Sequence, residues 1–117
     1  MKVKRIVSNI SARDLSAAKR FYEQALGLTI LMDLGWIVTF GSKEKAEVQV
    51  SFASEGGSHT PVPDLSIEVD DLQTALDRMK KAGFNIEYGP ADEPWGVRRF
   101  YVRDPFGKLV NILAHRS

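Results

Sequence analysis

The chain has 117 residues, enough for one domain with a core of its own, and its 44% hydrophobic and 26% charged composition is that of a globular protein. A formal net charge of +1, with both signs interspersed, provides no basic field for nucleic acid or an anionic membrane. No apolar run reaches the ~18 residues of a membrane span, no signal-peptide core opens the chain, and cysteine is absent, which removes disulfides, thiolate ligands and a cysteine nucleophile; a cytoplasmic protein is expected.

Val3–Ile10 reads as a strand. Asp14 is a good helix N-cap, Leu15, Ala18, Phe21, Tyr22 and Ala25 recur at helical spacing, and Gly27 fits the stop. Leu28–Met32 looks like a strand, Asp33-Leu34-Gly35 turns the chain, and Trp36–Phe40 follows as another. After a charged turn at Gly41–Lys45, Glu47–Phe52 alternates strictly, with Glu47, Gln49 and Ser51 on one face. Residues 54–63, rich in Ser, Gly and Pro, form a linker.

The order then repeats. Leu65, Ile67 and Val69 alternate with Asp64, Ser66 and Glu68. Asp70 or Asp71 caps a helix whose inner face is Leu72, Ala75, Leu76, Met79 and Ala82, and Gly83 ends it. Phe84–Tyr88, Val97–Arg103 and Lys108–Leu113 supply three strands. The segments 14–27 and 71–83 share Asp-Leu, an Ala three residues after that Leu, and a closing Gly, so the chain reads as an internal duplication. The predicted fold class is α+β: two paired β-α-β-β-β modules, about 1–56 and 62–117 of a single domain spanning 1–117, forming a curved mixed sheet around a cleft. One face of each half-sheet packs on its helix. The other carries Asp64, Ser66 and Glu68, with Glu47, Gln49 and Ser51 in the first half, and is read as a wetted cleft rather than an ordinary solvated sheet face.

Asp104-Pro105-Phe106-Gly107 is a turn: aspartate leads, proline fixes φ and glycine takes the last position. As a four-residue hairpin loop it pairs Arg103 with Lys108 and sets Phe100 across from Asn111, so that Phe100, Asn111, Arg98 and Val102 share the cleft face; a one-residue bulge swaps the faces. Trp95, between Pro94 and Gly96, is either a lid on the domain or an aromatic wall for a ligand, and Trp36 is core or cavity rim. With Phe40, Phe52 and Phe100 these rings offer a stacking surface. Arg98, Arg99 and Arg103 cluster beside the cleft, where arginine suits a bidentate grip on an anion. The two histidines, His59 and His115, have no ligand partner at useful spacing, and Glu68 is a solvated strand residue or a lone general base.

The stretches NISARDLSAAKRFYEQALGL, DLSIEVDDLQTALDRMKKAGF and RFYVRDPFGKLVNI make the chain resemble the glyoxalase / bleomycin-resistance / extradiol-dioxygenase (vicinal oxygen chelate) superfamily along nearly its whole length. PWG followed by F..RDP.G is most similar to its bleomycin-binding members. The resemblance implies paired modules and a homodimer. It also implies a divalent metal on four inner-strand side chains, and the corresponding positions here are Val7, Asp64, Asn111 and either Gln49 or Val50. Valine cannot ligate, and one carboxylate with one or two amides makes a weak transition-metal site. No metal or other cofactor is therefore expected, and an enzyme is disfavoured.

Drug-sequestering members of that superfamily tend to be acidic, whereas this chain is slightly basic, which points to a neutral or anionic aromatic ligand. The favoured reading is a metal-free small-molecule binding protein with a resistance or sequestration role. Its candidate ligand-binding residues are Trp36, Phe52, Asp64, Ser66, Glu68, Trp95, Arg98, Phe100 and Asn111. The alternatives are a glyoxalase-type lyase or isomerase with a degenerate site at Asp64, Gln49 and Asn111, and a regulatory or dimerisation module with a vestigial cleft. The expected partners are a small molecule and a second copy of the chain, with no nucleic acid and no membrane.

Overall fold

The computed structural model describes residues 5, 7–44 and 51–116. Asp14 caps α1 (Leu15–Ala18) by accepting from the backbone N–H groups of Ser16 and Ala17, and the helix continues into wider π-type winding over Lys19–Ala25. Gly27, at φ 77°, ends it, a left-handed conformation that glycine adopts without the steric cost a side chain would add. The chain then forms an antiparallel hairpin of β1 (Thr29–Asp33) and β2 (Val38–Gly41).

The second half holds a complete β-α-β-β-β unit. It runs through β3 (Leu65–Glu68), α2 (Leu72–Lys81), β4 (Ile86–Asp92), β5 (Val97–Arg103) and β6 (Leu109–His115). Asp71 is the α2 cap, accepting from Thr74 N–H. The sheet order is β3-β6-β5-β4, with β3 parallel to β6 and the other pairs antiparallel. The fold is thus α+β with mixed sheets, two helices and six strands among the described residues.

Of the strand expected over Val3–Ile10, residues 3, 4 and 6 lie outside the described residues, and residues 5 and 7–10 are in no strand. Most of the one expected over Glu47–Phe52 also lies outside them, and Ser51 and Phe52 are in no strand.

Both helices cover one face of the four-stranded sheet. Phe21, Tyr22, Leu72, Leu76 and Met79 pack against Phe100, Val102, Val110 and Ile112. The Phe21 ring meets Tyr22 and Phe84 edge-on, with centroids 4.8 and 4.9 Å away, a geometry that adds to area burial. Tyr22 reaches past this core to donate a 2.8 Å hydrogen bond to the buried Asp104 carboxylate, tying the first helix to the last hairpin.

That hairpin corrects the expected register. Arg103 pairs with Leu109, not Lys108, and Phe100 lies across from Ile112 while Tyr101 faces Asn111. The Asp104 side chain accepts from both Phe106 N–H (2.8 Å) and Lys108 N–H (2.9 Å), drawing Lys108 into the turn. Gly107 at φ 80° supplies the left-handed residue that makes the loop one residue longer. Every side chain before the turn therefore changes face. Phe100 is fully buried under the helices, not on the cleft wall, and Arg98 shares its parity.

Candidate functional site

Two surfaces meet at β3. Its Leu65 and Ile67 point to the helix side, and Ser66 and Glu68 point away.

On the helix side, α1, the β1–β2 hairpin and residues 7–12 enclose a cavity of about 490 Å³. Its wall is mostly apolar, with Trp36, Phe40, Tyr22, Leu15, Leu65 and Ile67 among its lining, and Asn9 and Thr39 add polar atoms. Trp36 stands at the rim with 76% of its surface exposed. Tyr22 and Phe40 rings sit 5.8 Å apart on the inner side. Burial and the neighbouring Asp104 carboxylate push the Tyr22 phenol far above its ordinary pKa, so it remains a neutral hydroxyl.

The helix-free face is polar. Asn111 donates to the Ser66 hydroxyl at 3.1 Å, and its Oδ1 is buried without a hydrogen-bond partner. Asp64 accepts from Leu109 N–H at 2.8 Å. Glu68 is exposed and pairs with His115, whose Nδ1 lies 2.8 Å from its carboxylate.

The centre of this face is Arg99, 3% exposed. Its Nη1 donates to Gly56 O (2.9 Å) and the Tyr101 hydroxyl (3.0 Å), and its Nη2 donates to Gly57 O (3.3 Å). The guanidinium carbon is 5.0 Å from the Trp95 and Tyr101 rings and 5.4 Å from Tyr88, and Nε lies 3.5 Å from the Glu93 carboxylate. Glu93 also accepts from the Ser58 and Tyr88 hydroxyls. Burial alone would raise the Glu93 carboxyl, but those hydroxyls and the Arg99 charge outweigh it and hold the group below its ordinary pKa.

Each of the three arginines of β5 faces a carboxylate of this chain. Arg98 pairs with Asp92 (3.1 Å), Arg99 with Glu93, and Arg103 with Glu87 (2.8 Å). Of the sequence-expected site residues, Asp64, Ser66, Glu68 and Asn111 share the helix-free face, and Trp95 lies over Arg99 there. Trp36 belongs to the apolar cavity, Phe100 to the core, and Phe52 is 93% exposed. Arg99 was placed in the arginine cluster beside the cleft, but Glu93, Tyr88 and Tyr101 around it were missed. Several of the contacts that hold them come from the 56–61 linker, far away in sequence, and no local pattern announces those.

The positions implied for a divalent metal do not fit one. Val7 has no donor atom, Asp64 is bonded to a backbone amide, and Asn111 turns its amide nitrogen to Ser66; Gln49 and Val50 lie outside the described residues. Among the described residues no group of three His, Asp or Glu side chains could hold an ion.

A family model for the Glyoxalase/Bleomycin resistance protein/Dioxygenase superfamily matches residues 2–112. The chain belongs to that superfamily. Among solved structures it is similar to TnmS3, an antibiotic binding protein from Streptomyces sp. CB03234, with 22% identity over 98% of this chain and 96% of that one, at a TM-score of 0.67. TioX from Micromonospora sp. ML1 is similar at 22% identity over 96% of each chain, TM-score 0.64. A protein of unknown function from Agrobacterium tumefaciens str. C58 is similar at 23% identity over 97% of this chain and 96% of that one, TM-score 0.70. At these identities the likeness establishes the fold, and sites are argued on this chain's own residues. No curated protein matches the chain. No helix among the described residues is long and apolar enough to cross a membrane.

Proposed function

We propose that this superfamily member sequesters a neutral or anionic aromatic compound without a metal, and that the compound lies in the apolar cavity beneath Trp36. The cavity itself carries the reading. Its roughly 490 Å³ falls within the ~300–1,000 Å³ of drug-sized sites, and Trp36, Phe40 and Tyr22 supply ring faces at its rim and wall. A tryptophan left 76% exposed beside an apolar space has a large surface for a ligand to cover. The antibiotic-binding role printed for TnmS3 supports this as a fold-level analogy. Because the three arginines of β5 already face internal carboxylates, a neutral ligand is favoured over an anionic one. We further propose that the chain works in the cytoplasm as a homodimer of two-module subunits, the stoichiometry to be read by sedimentation equilibrium.

The test uses two dyes that share a ring system, neutral N-phenyl-1-naphthylamine and anionic 1-anilinonaphthalene-8-sulfonate. The neutral dye is expected to bind saturably, one per chain, and more tightly than the sulfonate. Trp36→Ala is expected to weaken it roughly tenfold or more while leaving stability within about 0.5 kcal/mol, since the ring is largely exposed. Binding unchanged in that variant overturns the placement, and absence of saturable binding by either dye overturns the cavity reading.

A further inference from the structure

One group on the wall of the Trp36 cavity has its hydrogen-bonding polarity fixed by the fold. Tyr22 and Phe106 both line the cavity. The Tyr22 hydroxyl donates to the buried Asp104 carboxylate, 2.8 Å away in the turn that also holds Phe106. Among the described residues this is the one side-chain hydrogen bond of that hydroxyl. A phenol has a single proton to give, and Asp104 takes it, so the Tyr22 oxygen is left able only to accept. Asp104 cannot turn away to release it. Its other oxygen, Oδ1, is held by Phe106 N–H at 2.8 Å and Lys108 N–H at 2.9 Å.

Electrostatics points the same way. Burial first, then the neighbouring Asp104 and Asp64 carboxylates, keep the phenol protonated. The negative field of those two carboxylates at the Tyr22 oxygen attracts the hydrogen of a ligand donor and repels an anion. The other polar groups of the wall do not discriminate in this way, because the Thr39 hydroxyl and the Asn9 amide can each donate or accept.

We propose that Tyr22 sets the specificity of the cavity, whose ligand is a neutral aromatic that presents an O–H or N–H donor, as a phenol or an arylamine does, to the Tyr22 oxygen. This rests on the cavity reading above and adds to it the polarity of the ligand. An aromatic carrying only acceptors sets lone pairs against lone pairs and leaves the Tyr22 oxygen desolvated without a partner. A site built around one buried hydrogen bond discriminates strongly against an analogue that cannot make it.

The probes are 2-naphthol and 2-methoxynaphthalene, neutral molecules with one ring system, of which only the first donates. Their affinities are compared by equilibrium dialysis. The wild type is expected to prefer 2-naphthol by roughly fivefold or more. Tyr22→Phe keeps the ring and removes the acceptor, and is expected to abolish the preference by weakening 2-naphthol alone. Asp104→Asn reverses the polarity. Its Oδ1 keeps both backbone N–H bonds, while an amide nitrogen replaces the oxygen that faces Tyr22. That nitrogen donates to the phenol and frees the Tyr22 proton for the ligand, so the ratio is expected to shift by about threefold or more toward 2-methoxynaphthalene. Saturable binding of both probes with equal wild-type affinity, or with a ratio that neither variant moves, overturns the inference and leaves the cavity reading standing. Absence of saturable binding by either probe overturns the cavity reading and this inference with it. Should Tyr22→Phe not fold, the ratio in Asp104→Asn decides alone.

Discussion

Phe100→Ala is expected to destabilise the protein by about 3–5 kcal/mol, which for a domain of this size lowers the melting temperature by roughly 10–20 °C. The ring is fully buried and packs with Val102, Val110 and Ile112 beneath both helices. Removing it forfeits the transfer free energy of the ring and leaves a cavity that a close-packed sheet–helix interface cannot refill. Urea unfolding is the direct measurement, and an unchanged slope with a lower midpoint would mark the loss as one of native stability. The same substitution on an exposed cleft wall would cost little stability and much ligand affinity. The result therefore also decides between the two registers of the last hairpin.

The second large effect is at Arg99. Arg99→Ala is expected to cost about 3 kcal/mol or more, because it strands the buried Glu93 carboxylate and leaves Gly56 O and Gly57 O without their donor. The loss should depend on pH in a definite direction. The Glu93 carboxyl is held below its ordinary pKa in the folded protein, so its contribution is complete above the ordinary carboxylate range, about pH 4.3, and is lost as pH falls through the depressed folded value. Acid titration of stability is expected to show this decline in the wild type and to show less of it in Glu93→Gln. Identical acid profiles would mean that Glu93 is not stabilised as a carboxylate.

Much of the fold could be read in the residues themselves. Asp14 announces one helix cap and the Asp70-Asp71 pair the other, which the structure gives to Asp71, and Gly27 and Gly83 announce the ends, because short polar side chains satisfy free N–H groups and glycine turns left-handed without cost. Alternation in Leu65, Ile67 and Val69 correctly separates the helix-facing side of β3 from Ser66 and Glu68. The hairpin register was not legible, since a tight turn of four or five residues has the same sequence signature until the Asp104 carboxylate is seen bonding Lys108 N–H. A single extra residue inverted the faces assigned to Arg98 and Phe100. The partners of Arg99 were equally hidden. The arginine cluster could be read as a grip on an anion, and only the linker passing over Arg99 shows what its donors do. The cavity could not be separated from the cleft, because Trp36 and Trp95 look alike in sequence and lie on opposite sides of β3.

The most direct test of the central claim is where a bound aromatic sits relative to β3. The measurement is a set of intermolecular NOEs from N-phenyl-1-naphthylamine to the assigned wild-type protein. Contacts are expected to the Leu65 and Ile67 methyls and to the Trp36 ring, residues that line the cavity. Contacts confined to Ser66, Asn111 and the other side chains of the opposite face would contradict the claim.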